Sequence, residues 1–194
     1  MKRALIALCL VLSASCGELT RQGTASSYLT VEVLEAASGA EPTEFGGDLA
    51  SDVLTVVDDV PTIFSDSARV TFALRMKDPG SASAPTSPTS ANAITINRYR
   101  VRYVRADGRN TPGVDVPYGF DGAFTLTVSD TASAVFTLVR IQSKEEPPLA
   151  ALVYNLVAIT TIAEVTFFGH DQTGREVIAE AKIGVTFANW GDPD

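Results

Sequence analysis

EVIAEAKIGVTF, residues 176 to 187, alternates with period two. Val177, Ala179, Ala181, Ile183, Val185 and Phe187 share one phase, while Glu180, Lys182 and Thr186 share the other. Successive side chains of a strand point to opposite faces, so the stretch predicts a strand with one buried and one wet face. An amphipathic helix would instead need apolar residues at every third or fourth position. Outward from this stretch the same period of two recurs in AEVTFFG (163–169), SAVFTLVRI (133–141), AFTLTV (123–128), AITINRYRVRYVR (93–105), RVTFALRM (69–76) and YLTVEVL (28–34). In RVTFALRM it sets Val70, Phe72, Leu74 and Met76 on one face. No segment of ten or more residues keeps a helical period, so the chain reads as all-β.

The punctuation agrees. DGRNTPG (107–113) and FDG (120–122) are turn chemistry, and HDQTGR (170–175) reads as a hairpin loop with Gly174 in a left-handed conformation. PGSASAPTSPTSAN (79–92) cannot form a packed core and reads as an exposed, mobile loop, either a tolerated insertion or a binding or glycosylated loop. LAALVYNLVAITTIA (149–163) falls short of the roughly 20 residues that span a bilayer, and its β-branched second half predicts a helical turn or loop leading into a buried strand. Seven to eight alternating strands fit an antiparallel two-sheet β-sandwich over residues 28–188, followed by a tail, 189–194. The domain resembles immunoglobulin-like and fibronectin-like sandwiches of bacterial surface proteins. It departs from true immunoglobulin domains in lacking the core disulfide and in placing its single tryptophan, Trp190, after the last strand.

The 194 residues are 45% hydrophobic and 20% charged, a globular composition long enough for one sizeable core. The formal charge is −8. That anionic balance argues against nucleic acid as a partner and against binding an anionic bilayer by net attraction.

The first 15 residues have the layout of a secretory signal: Lys2 and Arg3, an apolar run from Ala4 to Leu12, then Ser13, Ala14 and Ser15. With Cys16 next, LCLVLSASCGE (8–18) resembles a bacterial lipoprotein signal, although Leu12 stands one position further from the cysteine than that family usually has it. The resemblance implies diacylglycerol on Cys16, cleavage before it, and acylation of the new amine. The alternative is ordinary cleavage near Ser15, with Cys16 left as a thiol. Cleavage removes Cys9, so Cys16 would have no partner for an internal disulfide, which favours the anchor. It also removes two of the 15 bases, leaving 13 against 23 acids, a charge of −10. Two or more acyl chains give stable attachment, each methylene contributing about 0.8 kcal/mol. Residues 16–27 would then form a lipidated tether reaching on the order of 20 Å. Gly17, rather than Asp, after the cysteine implies outer-membrane placement by the same resemblance.

Three features carry candidate chemistry. RYRVRYVRADGR (98–109) sets Arg98, Arg100 and Arg102 on one strand face. Such a ladder can grip an anionic glycan or peptide through bidentate contacts. Alternatively it pairs with acids of neighbouring strands such as Glu164 or Glu180. His170, the only histidine, stands beside Asp171, yet zinc needs three or four ligands, and no serine motif supplies a nucleophile; an exposed hairpin histidine is expected. From Glu41 to Asp66 the acids Glu41, Glu44, Asp48, Asp52, Asp58, Asp59 and Asp66 occur with no Lys or Arg; without the calcium-loop motif they read as a solvated acidic face. The sequence therefore predicts a non-catalytic envelope lipoprotein with a structural or protein-binding role, no cofactor and no metal, touching the membrane through its lipid only. An arginine-face module for an anionic ligand is the alternative, and a carboxylate-dependent hydrolase the remote one.

Overall fold

The computed structural model describes residues 25–190. The signal segment, Cys16, most of the proposed tether and the last four residues lie outside them.

The alternating stretches form strands as expected. β1 (Ser27–Ala37), β5 (Asp66–Met76) and β11 (Thr131–Val139) make a three-stranded antiparallel sheet in the order β1-β5-β11. β8 (Ile94–Val104), β12 (Ile159–Asp171) and β13 (Glu176–Ala188) form the centre of a six-stranded sheet. Beside β8 lie β9 (Phe120–Gly122) and β10 (Leu126–Val128); β2 (Asp48–Asp52) lies beside β13. Two small hairpins complete the thirteen strands of the described residues: β3 (Thr55–Val57) with β4 (Val60–Thr62), and β6 (Gly80–Ser81) with β7 (Ala84–Pro85).

Several expectations need correction. The strands outnumber the seven or eight predicted, because the acidic stretch before residue 66 contributes β2, β3 and β4, the 79–92 loop contributes β6 and β7, and β9 is added beside β8. β2 runs parallel to β13, so the larger sheet is mixed rather than purely antiparallel. FDG is the strand β9, paired with Tyr99–Val101 of β8, instead of a turn. Gly122 permits this, since any Cβ there would enter the Tyr99 ring. SAVFTLVRI stops at Val139 and leads into the short helix α1 (Ile141–Glu145). Ala25 and Ser27, assigned to the tether, are buried in the folded unit.

Other readings agree with the structure. The β12–β13 hairpin turns through Gly174 at φ +79°. The 79–92 loop is largely exposed, although it folds into β6, β7 and a single 3-10 turn at Ser90–Asn92. Residues 149–163 form a 3-10 turn, Leu149–Tyr154, then a short loop and the start of β12. Among the described residues no helix is long and apolar enough to cross a membrane.

Strict alternation is broken where a strand must bend. An extra residue at Asn97 in β8 puts Asn97 and Arg98 together on the outside, so that Ile94 and Ile96 before it, and Tyr99, Val101 and Tyr103 after it, all point inward. A second irregularity in β1, between Val31 and Val33, resets its phase in the same way.

The inward faces of the two main sheets meet in one core. Phe167 of β12 lies at its centre, with Phe72 of β5 edge-on at 4.9 Å and Phe136 of β11 edge-on at 5.4 Å. Tyr99 of β8 closes on Phe136 at 4.8 Å. Edge-to-face rings add to the gain from burial because a positive ring edge meets a negative face.

Pairing also fixes the two ends of the fold. β1 begins beside the end of β5 (Ser27 opposite Met76), and Asn92 bonds both Ser26 and Ser27. Ala25, Ser27 and the hairpin residues Glu176 and Val177 line one groove, so the chain enters at the end that carries the 171–176 turn. Asp66, Val104, Ile159 and Ala188 lie at the opposite end, which is called the far end below.

Phe167→Ala should lower unfolding free energy by about 3–5 kcal/mol, measured by urea denaturation, because a ring that joins both sheets leaves a cavity neither can close. A loss below about 1 kcal/mol would contradict this packing.

Candidate functional site

The arginine ladder lies on the outer face of β8, each side chain projecting away from the core as the alternation requires. The bulge at Asn97 turns Arg98 onto the Phe168 ring, 4.0 Å from its centroid, while its Nη1 lies 3.6 Å from Asp121 Oδ2. Arg100 donates from Nε and Nη2 to the two oxygens of the same carboxylate, at 2.6 and 3.0 Å. Arg102 donates to Glu164 Oε2 at 2.6 Å, and Lys182 reaches Oε1 of that glutamate at 2.8 Å. Glu164 faces Arg102 and Lys182 because β12 runs between β8 and β13 in that register. Hydrogen bonds from Lys182 and then Arg102 hold the Glu164 carboxyl below its ordinary range. Asp121 is held down chiefly by its bonds from Arg100.

A groove of about 470 Å³ runs along Arg100, Arg102, Glu164, Glu180 and Lys182. Its floor is strand backbone, and its guanidinium groups already face carboxylates. An incoming anion would have to displace Asp121 or Glu164. The three residues singled out in sequence are therefore neighbours on one face, but they form a compensated charge ladder. Glu164 was foreseeable as a partner. Asp121 was not, because its segment read as a turn.

The acidic stretch divides in two. Asp66 is not part of a solvated face: it is completely buried and meets Lys144, itself 1% exposed. Lys144 Nζ lies 3.0 Å from both carboxylate oxygens. Gly39 N–H donates to Oδ1 at 2.9 Å and Ser51 Oγ to Oδ2 at 2.6 Å. One carboxylate thus joins the 38–51 segment, the start of β5 and the helix α1 after β11. Sequence held one signal for it: Asp66 shares the inward phase of Ala68, Val70, Phe72 and Leu74. Lys144 had none, since it lies on no periodic element.

Burial raises the Asp66 carboxyl above its ordinary range, with the Lys144 charge and the hydrogen bonds from Ser51 and Gly39 opposing. Beside it, burial first and the charge of Asp66 second push the Tyr103 phenol far up, so its hydroxyl stays protonated and donates to Leu138 O at 2.7 Å. Taking two charges out of water costs several kcal/mol for each ion before their attraction offsets it. Such a pair makes the joint specific more than strong.

His170 is exposed near the end of β12, opposite Thr95 and Glu176, so it belongs to the strand rather than the loop proper. Asp171 next to it organises the turn: its Oδ1 accepts from the backbone N–H groups of Thr173 and Arg175 and from the Thr173 hydroxyl. Among the described residues no three His, Cys, Asp or Glu side chains gather closely enough to hold a metal ion. Cys16 lies outside the described residues. Comparison with known proteins gives no match to any family model, curated protein or solved structure.

Three outcomes are expected at these sites. Lys144→Met should cost about 3–5 kcal/mol in urea unfolding, because it leaves a carboxylate buried without its counter-charge. Asp66 binds its proton more tightly in the folded chain, so its contribution is largest below the ordinary aspartate value near pH 4 and declines as pH rises through the raised native value. Asp66→Asn should remove that decline from the pH dependence of stability, read from urea midpoints between pH 4 and 8; an unchanged slope would contradict it. On the ladder, Asp121→Asn leaves Arg98 and Arg100 without their carboxylate and should increase retention on a dextran sulfate column at low salt. Equal retention of variant and parent would show that the arginines were never compensated.

Proposed function

We propose that this chain is a cell-envelope lipoprotein, fastened through acyl chains on Cys16 and carrying an immunoglobulin-like β-sandwich with a structural or protein-binding role. The observation that supports it most is the polarity of the fold. The chain leading from Cys16 joins the domain at the end that holds Ala25 and the β12–β13 turn, and the far end lies at the opposite ends of β8, β12 and β13. A short tether at one end and a presented surface at the other is the geometry of an anchored binding module. Two open sheets that share one core fit the sandwich reading. The role is non-catalytic, and Gly17 after the lipidated cysteine favours the outer membrane where the cell has one.

The anionic-ligand reading of Arg98, Arg100 and Arg102 ranks below it, because Asp121 and Glu164 already occupy the guanidinium groups. The hydrolase reading has no observation in its favour.

Intact mass and cell fractionation test the anchor. The parent protein should partition with membranes and carry the mass of two or three acyl chains on a chain that starts at Cys16. Cys16→Ser should shift it to the soluble exported fraction. Membrane partitioning that survives this substitution, or an unmodified Cys16, would refute the proposal.

A further inference from the structure

The apolar stretch 149–163 is split by the fold. Leu149 and Leu152 are buried at 0% and 3% exposure, whereas Tyr154, Leu156 and Val157, a few residues on, are exposed by 91%, 103% and 59%. Side chains of this size in adjacent positions are left in water at a cost that burial on a partner would recover. The loop that carries them does not stand alone. Asn189 Nδ2 donates to Val153 O at 3.1 Å, and the next residue, Trp190, donates its N–H to Asp52 Oδ1 at 3.2 Å. Asp52 Oδ2 accepts from Thr55 Oγ1 at the base of the β3–β4 hairpin, whose Val57 and Val60 are also exposed. Three segments are thus bonded together at the far end, each presenting apolar side chains.

Charge defines what could cover them. On the sheet faces most of the acids are paired: Glu32 with Arg75, Glu35 with Arg69, Asp121 with Arg100, and Glu164 with Arg102 and Lys182. At the far end Asp58 and Asp59, on the β3–β4 turn, and Glu145 and Glu146, just before the 3-10 turn, are exposed, and the described residues place no cation against them. A second copy docking end to end would bring these acids against one another, and an anionic lipid surface would meet them with like charge. A cationic protein surface would gain from both features.

We infer that the far end, built on the Tyr154–Val157 loop, Trp190 and the β3–β4 hairpin, is a docking surface for a basic segment of another protein that carries apolar side chains. This rests on the protein-binding reading above and names the chemistry of the partner. Leu156 and Tyr154 supply apolar contact, while Asp58, Asp59, Glu145 and Glu146 form an acidic rim that steers and orients the segment.

The test uses the full chain purified from cells with Cys16→Ser, so that no acyl chain competes for an apolar probe; the anchor itself is judged separately, by fractionation of the parent. The probe is a synthetic peptide of alternating lysine and leucine, compared with lysine–serine and glutamate–leucine peptides of equal length. The lysine–leucine peptide should bind at least tenfold more tightly than either control. Leu156→Asp, at a fully exposed position, should reduce that binding at least tenfold without lowering the melting temperature. Asp58→Asn with Asp59→Asn, both at positive φ where Asn is tolerated, should reduce it about threefold and flatten its salt dependence. Glu180→Gln, on a sheet face, should leave it unchanged. Equal binding of the lysine–serine peptide, indifference to Leu156→Asp, or an equal effect of Glu180→Gln would overturn the inference. So would concentration-dependent dimerisation or binding to anionic vesicles that Leu156→Asp abolishes, since the occupant would then be a second copy or a membrane.

Discussion

The contact that the rest of this structure depends on is the one between Phe167 and the rings of Phe72 and Phe136. Neither main sheet can hide its apolar face alone. The three-stranded sheet offers Val70, Phe72 and Leu74; the six-stranded one offers Val101, Val165, Phe167 and Val185; each set is dry only because the other covers it. Packing at this seam fixes which side of every strand faces outward, and therefore which residues reach solvent as potential contacts. The arginine ladder, the exposed face of β13 and the polar side of β1 are all consequences of satisfying the aromatic centre first.

Once the seam is set, the two charged features take opposite roles. On the outer face of β8 the charges are exposed, screened and mutually compensated, and they favour correct strand register more than stability. At the far end a single ion pair is buried in the join between the sheets, where the helix α1 returns over the start of β5. Losing either partner of that pair exposes the other to an apolar surround. The pair therefore specifies how the β2 segment and α1 seat on the core. The presented loops of the far end grow from this joint: the helix that carries Lys144 leads directly into the 3-10 turn and the exposed Tyr154–Val157 loop.

This arrangement separates sheet faces whose arginines are paired from a far end that exposes apolar and acidic side chains. Among the described residues the strand cations Arg69, Arg75, Arg98, Arg100, Arg102 and Lys182 each meet an acid, while Asp58, Asp59, Glu145 and Glu146 at the far end are exposed with no cation against them.

The sequence by itself determined the long alternating strands. Period-two alternation named the inward side chains of 69–76, 163–169 and 176–187, with Met76 and Ala181 only half-buried, because strand geometry decides which side chains share a face; in 93–105 the extra residue at Asn97 resets the phase. It also gave Gly174 its left-handed turn and offered Glu164 or Glu180 as acids for the arginine ladder, of which Glu164 meets Arg102 and Glu180 pairs with none of the three. It could not show that FDG is a strand, because that follows from the Tyr99 ring occupying the space of the Cβ that Gly122 lacks. Nor could it show β2 pairing parallel with β13, since a five-residue segment finds its partner only after β13 has presented an edge. Asp66 read as one acid among seven until the fold closed over it, and Lys144 gave no sign at all: burial of a charge depends on what packs above it, which is a property of tertiary structure. The same reason separates Leu152 from Leu156. Two leucines of one apolar run are chemically alike, and only the path of the chain over the core decides which is covered and which is left in water.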